Sequence, residues 1–150
     1  MSMDTVIVVL HVLAAVFVIG PMAILPMSAM RSVRSGDGAA VLTTARSTMV
    51  FSLASLAVAL FGFGALGMAP KSDGLSVATP WVLISIILYA VALALNLLAV
   101  VPALRSAGEH LQESAAAETL GGNDYRRIAM TSGVVTLLLV AVTVLMVVKP

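Results

Sequence analysis

Four stretches of the chain contain no Asp, Glu, Lys or Arg, and this feature constrains the fold more than any other. Each stretch is longer than the roughly 20 residues that a helix needs to cross a hydrocarbon core of about 30 Å. Strands of a membrane barrel would be about half as long and would alternate apolar with polar side chains. The sequence therefore predicts an all-α, membrane-embedded, antiparallel four-helix bundle. The stretches are residues 5–30, 47–69, 80–104 and 128–148.

The composition supports the same environment. Hydrophobic residues make up 61% of the chain and charged residues 10%, against roughly 25% charged residues in soluble domains. A soluble fold of 150 residues cannot hide that much apolar surface from water. We therefore expect a single transmembrane domain over residues 1–150, with helices at about 5–30, 39–69, 80–120 and 124–148.

The third helix is expected to continue past the membrane into the cytoplasm. Leu104, Ala107 and Leu111 recur at helical spacing beyond its apolar stretch, with polar residues elsewhere around the helix. This extension is either a solvated helix or a docking surface for a partner.

The distribution of positive charge predicts the orientation. Six of the eight Lys and Arg residues flank the first and third loops, which are therefore expected in the cytoplasm. Both termini then lie outside, in a chain embedded in the cell inner (plasma) membrane. The chain begins MSMDT, without the basic region of a signal peptide, so the first helix is expected to be retained. The six residues are Arg31, Arg34, Arg46, Arg105, Arg126 and Arg127.

A histidine in the first apolar stretch defines an outer polar layer. With a helical rise of about 1.5 Å per residue, His11 lies about 9 Å below the outer boundary. Side chains of helices three and four reach the same depth. The predicted outer layer, which is also the candidate haem or metal site, consists of His11, Tyr89, Thr143 and Met146.

A second, inner polar layer is predicted around Asn96, nearer the cytoplasm. Pro21 has no N–H group, so the carbonyl of Phe17 loses its usual helical partner. In lipid such a carbonyl needs another donor, which Asn96 or a serine can supply. The predicted inner layer consists of Asn96, Ser55, Thr136 and Pro21.

Four interpretations of His11 remain open, because an ionisable residue inside a membrane is a functional hypothesis by default. A neutral imidazole can hydrogen-bond to Tyr89 or Thr143 and hold helices together. It can serve as an axial ligand of haem, or bind copper with Met146 as a soft second ligand. It can also relay protons, although the apolar stretches contain no carboxylate to continue such a relay.

Several function classes are disfavoured by the sequence. The chain has no cysteine, which excludes disulfides, thiolate metal sites and thiol catalysis. The net charge of +1 gives no indication of nucleic-acid binding. The segment GFGALG (62–67) lies within an apolar helix and is not a dinucleotide-binding loop. We therefore expect no enzyme activity.

The segment LHVLAAVFVIGPM (10–22) resembles the first helix of a broad group of small bacterial membrane proteins. Members of this group include CopD-type copper-resistance domains, HemJ-type protoporphyrinogen oxidases, and a family of predicted integral membrane proteins of unknown function. In length and helix pattern the chain is most similar to the last. Resemblance to HemJ implies His11 as a haem ligand, although that family also uses an intramembrane lysine, which the apolar stretches here lack. Resemblance to CopD implies copper handling.

These observations predict a multi-pass integral membrane protein, and we expect a non-catalytic accessory or structural component of an inner-membrane assembly. The alternatives are a haem- or copper-binding membrane protein centred on His11, with haem b as its cofactor, and a small oligomeric transporter. The expected partners are the lipid bilayer and either another membrane protein or further copies of this chain.

Overall fold

The computed structural model describes residues 2–69, 74–114 and 122–149, and within them the chain is helical, with no β-strand. Four helical spans are long and apolar enough to cross a membrane, as the sequence predicts. They are span 1 (Thr5–Arg34), span 2 (Gly38–Gly67), span 3 (Pro80–Glu113) and span 4 (Gly122–Val148).

The spans comprise six α-helices and two π-helical turns in the described part of the chain. Span 1 consists of α1 (Met3–Ala14), the first π-turn (Ala15–Ile19) and α2 (Gly20–Arg34), and span 2 is α3 (Gly38–Gly67). Span 3 consists of α4 (Pro80–Leu95), the second π-turn (Asn96–Val100) and α5 (Val101–Glu113), and span 4 is α6 (Gly122–Val148).

Each π-turn ends two residues before a proline. The first precedes Pro21 and the second precedes Pro102. A proline cannot donate a backbone hydrogen bond, and its ring collides with the preceding turn of a regular α-helix. A wider π-turn lets the helix continue past this obstacle. The chain thus keeps both spans continuous without a break at either proline.

The ends of the bundle differ in charge. One end, which we call the arginine end, carries Arg31, Arg34, Arg46, Arg105 and Arg127. The start of α1 and the end of α6 lie at the other, which we call the terminal end.

Packing is closest towards the arginine end. Span 1 packs on span 2 and span 3 packs on span 4, which gives two antiparallel hairpins. The hairpins contact each other chiefly through α2 against α6 and α3 against α5. Most of the hydrophobic core therefore lies in this half, including Met22, Val41, Ala45, Leu104 and Ile128.

The helix ends partly match the predicted boundaries. The side chain of Asp37 accepts a hydrogen bond of 2.9 Å from the backbone N–H of Ala40 and caps the start of α3. The third helix, predicted to reach residue 120, ends at Glu113, and Ser114 leaves the helical conformation. The rest of the predicted extension, residues 115–120, lies outside the described residues.

Candidate functional site

His11 packs into a notch on span 2. Its Nδ1 atom lies 2.9 Å from the carbonyl oxygen of Val58 on α3. The ring lies against Gly62, where an added Cβ atom would be 2.9 Å from the histidine Cε1. Only a residue without a side chain leaves room for the imidazole at this position. The histidine thus joins the two spans of the first hairpin.

The hydrogen bond of His11 also defines its tautomer. A carbonyl oxygen only accepts hydrogen bonds, so Nδ1 must carry the proton. In a neutral imidazole, Nε2 then holds the free lone pair. A metal-binding histidine almost always donates its other ring N–H to a carboxylate, a backbone carbonyl or water, and the bond to Val58 is one of these arrangements. The same contact is compatible with a purely structural role.

The predicted outer layer is not assembled in the structure. The hydroxyl of Thr143 donates to the carbonyl of Leu139 in its own helix, at 3.0 Å, and Met146 is 39% exposed on α6. Neither residue is a hydrogen-bond partner of His11. The reason lies in the packing: α1 packs mainly on α3, whereas the hairpins join chiefly towards the arginine end.

Tyr89, predicted in the outer layer, instead belongs to an inner polar cluster formed by Ser52, Ser55, Tyr89 and Asn96. Its hydroxyl lies 2.7 Å from the Ser55 hydroxyl. Ser55 uses its only hydrogen in a bond of 2.6 Å to the carbonyl of Ser52, so the tyrosine must be the donor. The tyrosine therefore ties span 3 to span 2.

Asn96 forms the second contact of the inner polar cluster. Its side-chain N–H donates a hydrogen bond to the Ser52 hydroxyl at 2.8 Å. The Ser52 hydroxyl in turn donates to the backbone carbonyl of Thr48 at 2.7 Å. Asn96 and Ser52 are fully buried. In the described part of the chain, the Oδ1 atom of Asn96 and the Oγ1 atom of Thr48 have no hydrogen-bond partner. The cluster thus links spans 2 and 3 but leaves two buried oxygens unpaired.

Thr136 joins span 4 to span 1, separately from Asn96. Its hydroxyl lies 2.9 Å from the carbonyl of Ala23 on α2 and 3.0 Å from that of Ser132 in its own helix. The acceptor on α2 is not the carbonyl of Phe17, which Pro21 was predicted to leave free. The partly buried Pro21 follows the π-turn, so the wider turn changes the hydrogen-bond pattern that the prediction assumed.

Sequence reasoning missed two features of these sites. The carbonyl of Val58 carries no signal in the sequence, because any residue supplies a backbone acceptor. Thr48 lies one helical turn from Ser52 and extends the stripe of small polar residues on α3, which could have revealed it. Within the described residues, no three His, Cys, Asp or Glu side chains come together as a metal-binding group.

One comparison with known proteins gives a result. The family model described as "Predicted integral membrane protein (DUF2269)" matches residues 5–150. The chain belongs to the DUF2269 family. No curated protein and no solved structure matches it. Membership of DUF2269 agrees with the predicted family of integral membrane proteins of unknown function, while the resemblance to CopD and HemJ stays a prediction.

Proposed function

We propose that this DUF2269 protein is a non-catalytic structural or accessory component of a larger assembly in the inner membrane. One observation carries the proposal: four of its intramembrane polar side chains form hydrogen bonds between spans. His11 connects span 1 to span 2, Tyr89 and Asn96 connect span 3 to span 2, and Thr136 connects span 4 to span 1. Interhelical hydrogen bonds of this kind stabilise a membrane bundle.

Span 1 is the surface that we expect to meet the rest of the assembly. In the most apolar 18-residue segment of span 1, only 6% is buried inside the bundle, whereas the corresponding share for span 3 is 28%. The apolar side chains of α1 therefore face outward along most of its circumference. Phe17, which is 70% exposed in the first π-turn, marks the middle of this surface.

Photo-crosslinking in the native membrane tests this role. A photoreactive amino acid at Phe17 should give a discrete crosslink to a membrane protein or to a second copy of this chain. The matched control is Leu137 on α6, which is equally exposed at 70% and should crosslink only to lipid. Identical products at both positions, or a detergent-purified monomer without a partner, would contradict the proposal.

The proposed orientation places the arginine end in the cytoplasm and both termini outside. The supporting argument is the positive charge at that end. Because the chain lacks cysteine, single-cysteine variants give an unambiguous test. An impermeant maleimide added to intact cells should label S76C and leave S35C unlabelled, since these exposed serines lie in opposite loops. The reverse pattern would invert the topology.

A haem-binding role is the second candidate, because the geometry of His11 suits a metal ligand. The bond to Val58 orients the imidazole and leaves the Nε2 lone pair for a metal. Bound haem would supply redox chemistry, and His11 would hold its iron through Nε2. Within the described residues, no group of three His, Cys, Asp or Glu side chains comes together around His11 as a metal site.

Absorption spectroscopy distinguishes the two candidates. Under the haem hypothesis, protein purified in mild detergent shows a Soret band that is lost in H11A. Under the structural hypothesis the wild type and H11A show the same absorption after incubation with haem and removal of the excess, and H11A changes only the stability. Elemental analysis of the same sample tests copper.

A further inference from the structure

A groove opens at the arginine end of the bundle, between α6 on one side and α5 with the second π-turn on the other. It has a cavity volume of about 290 Å³. We call it the α5–α6 groove. Its inner part is lined by apolar side chains, among them Leu98, Ala103 and Ile128, and its outer part by the polar side chains of Ser106, His110, Asp124 and Arg127.

The groove exists because α5 and α6 are held by different neighbours. A Cβ atom on Gly38 would lie 2.7 Å from the backbone oxygen of Gly108, so α5 approaches α3 at nearly backbone contact. The guanidinium of Arg34 lies over the ring of Tyr125, 5.2 Å from its centroid, which fastens the start of α6 to the end of α2. As a result α5 packs extensively on α3 and only sparsely on α6.

The polarity of the groove changes along the membrane normal. Leu98, Ala103 and Ile128 belong to the charge-free parts of spans 3 and 4. Ser106 and Arg127 lie just beyond these parts, where the spans reach the headgroup region. A ligand that fills the whole groove must therefore have an apolar part in the bilayer and a polar part at its surface. Membrane phospholipids have this construction.

The outer part of the groove carries charges of both signs. Arg127 contributes a positive charge, and Asp124, three residues earlier on α6, contributes a negative one. Residues at this spacing are neighbours on one face of a helix. A headgroup that complements them carries a phosphate and, a short linker away, a cation. Ser106 and His110 add neutral hydrogen-bonding groups from α5.

We propose that the α5–α6 groove is a binding site for an aminophospholipid of the phosphatidylethanolamine class. Arg127 and Ser106 contact the phosphate, Asp124 accepts hydrogen bonds from the ammonium, and the acyl chains lie against Leu98 and Ala103. Phosphatidylcholine has the same charges but no N–H group for Asp124. Phosphatidylglycerol lacks the cation altogether, so it meets Asp124 with an uncompensated negative charge.

Native mass spectrometry of the full chain tests the site. The protein is equilibrated in nanodiscs that contain equal amounts of the three lipids with identical acyl chains, and the retained lipids are counted. The wild type should retain the ethanolamine lipid about fivefold more than either competitor, as expected for a partly solvated ion pair. D124N should lose this preference, and R127Q should lose retention of all three lipids.

Two substitutions serve as controls for surface charge. Arg126 adjoins Arg127 but does not line the groove, and Glu109 lies beside His110 outside it. R126Q and E109Q should retain lipid like the wild type, and thermal unfolding confirms that every variant is folded. Equal retention of the three lipids by the wild type would overturn the proposal. So would an unchanged preference in D124N, or an equal loss in R126Q and R127Q.

Discussion

Substitution of Gly62 by alanine probes the histidine notch most directly. The new Cβ atom would lie 2.9 Å from Cε1 of His11 and 3.3 Å from its Nδ1. Two atoms that are not bonded cannot remain that close, so the imidazole must rotate away. The rotation breaks the 2.9 Å hydrogen bond to Val58, because that bond requires the ring to lie against α3.

Two opposing terms set the magnitude of the effect. Leaving the imidazole donor without its acceptor costs about 1–3 kcal/mol. Replacing a glycine by alanine inside a helix returns about 1 kcal/mol of helix propensity. The net change of G62A in the free energy of unfolding is therefore a decrease of about 0–2 kcal/mol. Because this range includes zero, the stability of G62A alone does not test the contact between Gly62 and His11. The coupling energy between the substitutions at the two positions does test it.

A double-mutant cycle measures that coupling. The free energy of unfolding is obtained by titrating detergent-solubilised protein with a denaturing detergent and following helix content by circular dichroism. In the H11A background G62A should be neutral or stabilising, which gives a coupling energy of about 1–3 kcal/mol. Gly133 on α6 has no atom within 4 Å of an added Cβ, so G133A should behave identically in both backgrounds. An equal effect of G62A with and without His11 would refute the notch.

The same titration tests three further contacts. G38A should lower the free energy of unfolding by about 2 kcal/mol or more, because its Cβ would meet the backbone oxygen of Gly108, which cannot rotate away. A G38A variant as stable as the wild type would contradict the close approach of α3 and α5. S52A should cost about 1–2 kcal/mol by leaving Asn96 without its acceptor, and the additional change N96L should restore part of the loss rather than add to it. Y125L should cost at most about 1 kcal/mol by removing the ring under a guanidinium, whereas Y125F should be neutral; equal losses in both variants would implicate the hydroxyl instead.

Much of the fold could be predicted from the sequence, because in lipid the backbone must satisfy its own hydrogen bonds. A charge-free stretch of sufficient length then has one solution, a helix, and the four such stretches became the four spans. The N-cap at Asp37 was also predictable, since its side chain bonds within its own helix turn. The third helix, predicted to reach residue 120, is helical to Glu113, and residues 115–120 lie outside the described residues.

The partners of the polar side chains were harder to predict than their depths. Depth estimates treat every span as a straight, regular helix, whereas spans 1 and 3 each contain a π-turn. Side-chain length matters as well. The depth of Tyr89 was predicted from its position in the helix, but its long side chain places the hydroxyl beside Ser55 in the inner polar cluster. One of the four interpretations of His11 paired it with Tyr89 or Thr143, whereas in the structure its Nδ1 contacts the backbone carbonyl of Val58.

The sequence by itself determined the environment, the number of spans and the residues that must avoid lipid, because these follow from chain length and polarity alone. Only the tertiary structure decided which polar groups meet. Packing fastens α5 to α3 at Gly38 and Gly108 and holds the start of α6 at Arg34. Such pairings depend on distances between segments that are far apart in the chain, and on the positions where glycine allows two helices to touch.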